Sequence, residues 1–324
     1  MTPAGGRWAI AGAAALTLAV AACGTPALLV RPAIDGAAPS PSPSTPAAAA
    51  PDTSCGDPTA SLRPQGPPPA PGALPAGSFM QAIYQRGRLV AGVSRDTLLF
   101  GSVNPTTDRI EGFDIDILRQ VAKALFGDPD RIEFRVITPA QRIPALQAGT
   151  VDIVGRTFTV NCVRWRQIDF SSVYYVSGQR VLVPRGSPIS GPGDLGGKRI
   201  CVPAGTTALD GLSSRASRKP IPVVVADQTD CLVLLELGTV DAAVNDESVL
   251  LGLAVQDPSM VVVGPRFTVE PYGLGIAQSH PDFVRFVNAV LEQMRSDGAW
   301  SAIYNHWLSR IGPDAGPPPA RYRD

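Results

Sequence analysis

Nine residues, TFTVNCVRW from Thr157 to Trp165, bring two threonines, an asparagine, a cysteine and an arginine together directly after the apolar run VDIV. Any polar turn would end a strand, so hydroxyls and a guanidinium gathered at one spot point to an anion being held. A guanidinium forks onto a carboxylate through two parallel N–H bonds, and hydroxyl or backbone donors complete the cradle. Thr157, Thr159 and Arg164 are the candidates for that chemistry. A carboxylate that could meet a cation, Asp246, stands far along the chain, and a repeat relates the two places.

LQAGTVDIV (Leu146 to Val154) recurs as LELGTVDAAV (Leu235 to Val244). Each reads as a helix end, a glycine cap, a turn threonine and a strand opening with Val-Asp, so one αβ unit is used twice and two similar lobes follow. Five residues after each repeat's aspartate stand Thr157 and Asp246. Ligands of open parallel sheets bind beyond the carboxyl ends of the strands. The lobes would therefore face each other with hydroxyls and arginine on one side and a carboxylate on the other, and a small molecule carrying both charges fits between them.

The elements that must position these residues alternate β-branched apolar runs with amphipathic stretches past Ser78, the pattern of an α/β fold. RLVAGV and IEFRVI read as strands. GFDIDILRQVAKALFG puts Ile117, Leu118, Val121, Ala122, Leu125 and Phe126 on one helical stripe and closes on Gly127. The chain is expected to cross between lobes near Gly178 and to return through PRFTVEPYGLGIA. The expected boundaries are 78–175 with 270–312 for the first lobe, 176–269 for the second, and a frayed tail over 313–324.

The 324 residues leave length to spare, and the N-terminal quarter accounts for it. Residues 1–23 carry one basic residue, Arg7, then an apolar stretch ending in LAVAAC. That stretch is short for a membrane span and reads as a secretory signal. VAAC resembles the bacterial lipobox, which implies that Cys23 becomes a lipid-carrying N-terminus; an ordinary signal with a chance cysteine is the alternative. Residues 24–77 are rich in Pro, Ala, Ser and Gly and read as a tether. The part up to Cys55, extended at ~3.1 Å per residue, would reach on the order of 100 Å.

Net charge is zero with no basic stripe, which argues against nucleic acid as a partner. Export puts Cys55, Cys162, Cys201 and Cys231 in an oxidising compartment, where four cysteines allow three connectivities. Cys201 and Cys231 lie in neighbouring elements of one αβ unit, so the expected pairs are Cys201–Cys231 and Cys55–Cys162. No histidine lies near a cysteine, so no metal site and no cofactor is expected.

Seven blocks carry a resemblance: GFDIDILRQVAKAL, RIPALQAGTVDIV, RQIDFSSVYYVSGQRVLV, DLGGKRICVPAGTT, GTVDAAVNDESVLL, PYGLGIA and DGAWSAIYNHWL. In order and spacing they resemble the polar amino-acid solute-binding proteins of ABC importers, over Arg88 to Leu308, with the glutamate/aspartate branch and actinobacterial glutamine-binding lipoproteins nearest. The resemblance implies a two-lobed periplasmic-binding-protein type II fold, a two-stranded hinge, and closure around one L-amino acid. It also implies a monomer on the extracytoplasmic face, held by its lipid alone, that serves an ABC permease or a transmembrane sensor.

Position by position, the resemblance puts the α-carboxylate clamp at Arg164 with Thr157 and Thr159, the ammonium acceptor at Asp246, and a ligand-facing helix start at Gly205, Thr206 and Thr207. Arg95 and Arg142 fall where acidic-ligand binders place arginines, so glutamate and aspartate are expected to lead and their amides to follow. Plainer readings exist for each: Arg164 as a surface arginine, Arg142 as a solvated helix start, Asp246 as a helix N-cap. A dehydratase on the same fold would need a positioned acid or base, and both histidines, His280 and His306, fall in the C-terminal helices.

Overall fold

The computed structural model describes residues 54–212 and 218–323. Cys23, the signal and most of the expected tether lie outside the described residues.

Two five-stranded sheets form the framework. In the first, the spatial order is Ile132–Val136, Leu89–Val93, Ile153–Val154, Gly275–Ile276 and Asp169–Phe170. In the second it is Ile221–Val225, Arg199–Pro203, Ala242–Asp246, Gln179–Pro184 and Met260–Val263. Each sheet has three parallel strands followed by two joined antiparallel. The repeated Gly-Thr-Val-Asp segment leads into the third strand in both, Ile153–Val154 and Ala242–Asp246.

Leu89–Val93 is buried at all five positions, as a strand covered on both faces must be. The helix Phe113–Phe126 packs Ile117, Leu118, Val121, Ala122 and Leu125 into the core, and Gly127, at φ 76°, ends it by donating to the Lys123 carbonyl. The helices Pro281–Ser296 and Ala299–Trp307 return to the same core and complete the first lobe. Separate apolar clusters cover the two faces of the second sheet.

The hinge is the antiparallel pair Tyr175–Ser177 with Glu270–Tyr272. Both crossings are short and extended, so few dihedral angles have to change for one lobe to swing against the other. Phe100 lies wholly inside the first lobe against Phe113, Tyr175 and Tyr272, and does not cover the cleft.

The chain ends differ from the expected tether and frayed tail. Ala60–Leu62 pairs in parallel with Arg321–Arg323. The Asn288 side chain donates to Ser61 Oγ and the Leu62 carbonyl, and Arg323 reaches Asp169 at 3.1 Å while lying over the Trp165 ring. Proline-rich composition, averaged over the segment, hides a few residues whose backbone and side chains find partners on the body. The disulfide Cys55–Cys162 fastens the same segment to the first lobe, and Cys201–Cys231 joins strand to helix in the second.

Candidate functional site

TFTVNCVRW leaves the third strand of the first sheet and turns into the short helix Cys162–Trp165. Asn161 caps that helix by accepting from the Arg164 N–H. Thr157 has φ 40°, a left-handed conformation that a β-branched residue adopts only under strain. Its N–H is held by Asp114 Oδ2 at 2.8 Å, and Asp114 in turn accepts from the Tyr174 hydroxyl. Burial pushes the Asp114 carboxyl up to about 6, against the pull of those bonds and of Arg156.

A nearly closed cleft, with about 10 Å³ of free space, lies between the lobes, with Arg142, Thr157, Thr159 and Arg164 on one side and Thr206 and Thr207 on the other. Arg164 is buried, with Nη1 donating to the Thr159 carbonyl at 2.7 Å and Nη2 to the Gly205 carbonyl at 3.0 Å. Arg142 is also buried; it donates to the carbonyls of Pro139, Arg156 and Thr157, and across the lobes to Gly205 at 2.9 Å. All these bonds end on neutral backbone oxygens. Both guanidinia lie over the Phe158 ring. Burial lowers the pKa of each, and for Arg142 the neighbouring Arg164 and Arg156 add to it. The corner thus concentrates positive charge that the protein itself only partly offsets.

Gly205 makes the meeting of lobes feasible. Its φ is 73°, and a Cβ there would stand 2.7 Å from Ala140 Cα. Thr206 Oγ1 donates to the Pro203 carbonyl, and Thr207 Oγ1 donates to Glu270 Oε2 at 2.9 Å. The helix that follows them starts at Ala208.

Asp246 ends its strand buried, beside Asn245, which lines the cleft. Tyr272 donates to its Oδ2 at 2.5 Å, and Ser248 bonds the same hydroxyl. Burial, and then the nearby Glu270, push the Asp246 carboxyl up to about 8, while Tyr272, Arg164 and Arg142 act the other way.

Two of the sequence candidates do not line the cleft: Asp246, which is buried beside it, and Arg95. Its side chain is exposed and does not line the cleft, whereas its neighbours Ser94 and Thr97 are buried. The chain bends at Arg95, between the strands Leu89–Val93 and Asp96–Thr97, and the bend turns this side chain to solvent.

Four residues escaped the sequence reading. Arg156, beside Thr157, is 2% exposed and lines the cleft. Its Nη2 donates to Asp227 of the other lobe at 2.5 Å and lies 3.7 Å from Asp96. Gln228 lines the cleft as well, and its amide donates across the lobes to Asp96 and Thr97. Asn245 is the third. Glu270, buried on the returning hinge strand, accepts from Gln179 and Thr207. The available signal for Arg156 was its place between the apolar run and the threonines.

Comparison with known proteins places this geometry. The chain is 35% identical over 230 residues to the ABC transporter glutamine-binding protein GlnH of Bacillus subtilis, covering 71% of this chain and 84% of the relative. It is 28% identical over 247 residues to the glutamate/aspartate import solute-binding protein of Salmonella typhimurium, covering 73% and 82%. An ancestral arginine-binding protein, solved bound to glutamine, matches with a TM-score of 0.64 at 31% identity over 69% of this chain and 98% of that one. Residues 89–310, which contain both five-stranded sheets and the hinge, match a single family, and the chain belongs to it: the bacterial extracellular solute-binding proteins, family 3.

Proposed function

We propose that this protein is an extracytoplasmic receptor, lipid-anchored through Cys23, that closes two lobes around one acidic or amide L-amino acid and delivers it to an ABC-type permease. The observation that carries this reading is the pair of buried guanidinia, Arg142 and Arg164, whose hydrogen bonds all end on carbonyls. Burying such charges without a carboxylate partner costs several kcal/mol, and an incoming α-carboxylate offsets that cost. In this reading Arg164, Thr157 and Thr159 take the carboxylate, Thr206 and Thr207 close over it, and Asp246 takes the ammonium.

Catalysis is the weaker reading. His280 stacks on Phe79 and His306 packs against Trp307, and neither lines the cleft. The relatives compared are binding proteins by name, for glutamine and for glutamate or aspartate. Among the described residues no helix is long and apolar enough to cross a membrane.

Calorimetry with the twenty L-amino acids tests the reading. Binding of an acidic or amide member at micromolar Kd or tighter, about −8 kcal/mol, with the ligand recovered unchanged, is expected. Absence of binding by all of them, or turnover, would overturn it.

A further inference from the structure

The third buried arginine of the cleft differs in its surroundings from the other two. Arg156 is 2% exposed, and its Nε–H has no hydrogen-bond partner. A buried donor left without an acceptor is costly, and a ligand atom arriving there relieves the cost. The same guanidinium already faces negative charge from three elements. Asp227, which caps the helix Gln228–Glu236, pairs with it at 2.5 Å; Asp96, at the start of the short strand Asp96–Thr97, lies at 3.7 Å; and Asp114, on the helix Phe113–Phe126, acts on it from a third direction. Arg142 is the cation nearby that acts the other way.

An unpartnered N–H calls for an oxygen. A guanidinium whose charge is already balanced by Asp227 and Asp96 does not call for another anion, because a third carboxylate would be repelled by the two in place. A carboxamide meets both conditions: its carbonyl accepts one hydrogen bond, and its NH2 group donates to a carboxylate or a carbonyl oxygen. Gln228 lines the cleft beside Arg156 and offers its amide carbonyl as an acceptor, and Asp96 and Asp227 stand behind them, paired with Arg156 and, for Asp96, with the Gln228 amide.

We propose that Arg156 reads the distal group of the bound amino acid through its free Nε–H, and that Asp96 and Asp227 make this wall prefer a neutral carboxamide over a carboxylate. The ligand is then glutamine or asparagine rather than glutamate or aspartate. This rests on the receptor reading above and names the substrate within it. Arg142 and Arg164 remain at the α-carboxylate end.

Calorimetry at neutral pH with glutamine, asparagine, glutamate, aspartate and norvaline tests it. In the parent protein the better amide should bind at least tenfold more tightly than the corresponding acid. Arg156→Met should lower amide affinity about a hundredfold and norvaline affinity less than fivefold, and Arg156→Lys, which keeps the charge but lacks Nε, should recover little. Asp227→Asn preserves a helix-capping side chain and removes one carboxylate; it should raise the glutamate-to-glutamine affinity ratio at least tenfold. Acids leading in the parent would overturn the proposal. So would an equal loss for all five ligands in Arg156→Met, which would make Arg156 a bolt between the lobes and no more. Failure of the parent to bind any of the five would be a different result and would remove the receptor reading together with this one.

Discussion

In the proposed arrangement the two ends of the cleft hold arginine in opposite ways. At one end Arg142 and Arg164 donate only to backbone carbonyls, and one of these, Gly205, is shared across the lobes. At the other end Arg156 is balanced by Asp227 and Asp96 before any ligand arrives. On this proposal guanidinia of similar burial select different partners: the first pair takes a full negative charge, and the third a neutral oxygen. Selectivity would then come from the carboxylates paired with each guanidinium and not from the residue type in the wall.

The largest effect expected from breaking this contrast is at the first end. Arg164→Ala should lower affinity for every amino acid by a thousandfold or more, about 4 kcal/mol, because the bidentate, desolvated contact to the common carboxylate is lost. Titration with several ligands checks this; a loss confined to one side-chain class would reverse the assignment of the two ends.

Gly205→Ala should come next. The added Cβ meets the Ala140 backbone at 2.7 Å, so the lobes cannot close as they do here. Affinity should fall about a hundredfold with the ranking of ligands unchanged, and solution scattering should show a ligand-saturated variant as open as the free parent. A scattering profile that still contracts would show that closure does not pass through this contact.

A smaller effect concerns protons at Asp246. Its folded value, about 8, is raised by burial and by Glu270 against Tyr272, Arg164 and Arg142, so the carboxyl is largely protonated at pH 7 without ligand. Its contribution to stability is fully present below its unfolded value near 4 and is lost as pH rises through 8. An ammonium group placed against it reverses the preference, and binding at pH 7 should release most of one proton. Calorimetry in two buffers of different ionisation enthalpy measures the release, and buffer-independent heats would contradict the role given to Asp246.

The smallest effect belongs to Arg95. Exposed and outside the cleft, it should tolerate Ala with less than a twofold change for any ligand.

Local spacing carried much of this site in the sequence. Thr157, Thr159 and Arg164 lie within eight residues, and the Gly-Thr-Val-Asp repeat announced two sheets built alike. Arg95 was misread because the chain bends there and turns it to solvent, while the two residues that follow, Asp96 and Thr97, accept from Gln228 of the other lobe. Arg156 was passed over because its partner Asp227 is 71 residues away in the other lobe, and no local pattern links them. The terminal strands were hidden for a similar reason: Ala60–Leu62 and Arg321–Arg323 form only by pairing with each other.

The most direct test of the account compares L-glutamine with 4-aminobutanamide, the same molecule without its α-carboxylate, on the parent protein by calorimetry. Micromolar or tighter binding of glutamine and no detectable binding of the decarboxylated analogue is the expected result, because Arg142 and Arg164 would be left facing nothing. Comparable affinities would contradict the claim that these two guanidinia exist to receive the carboxylate.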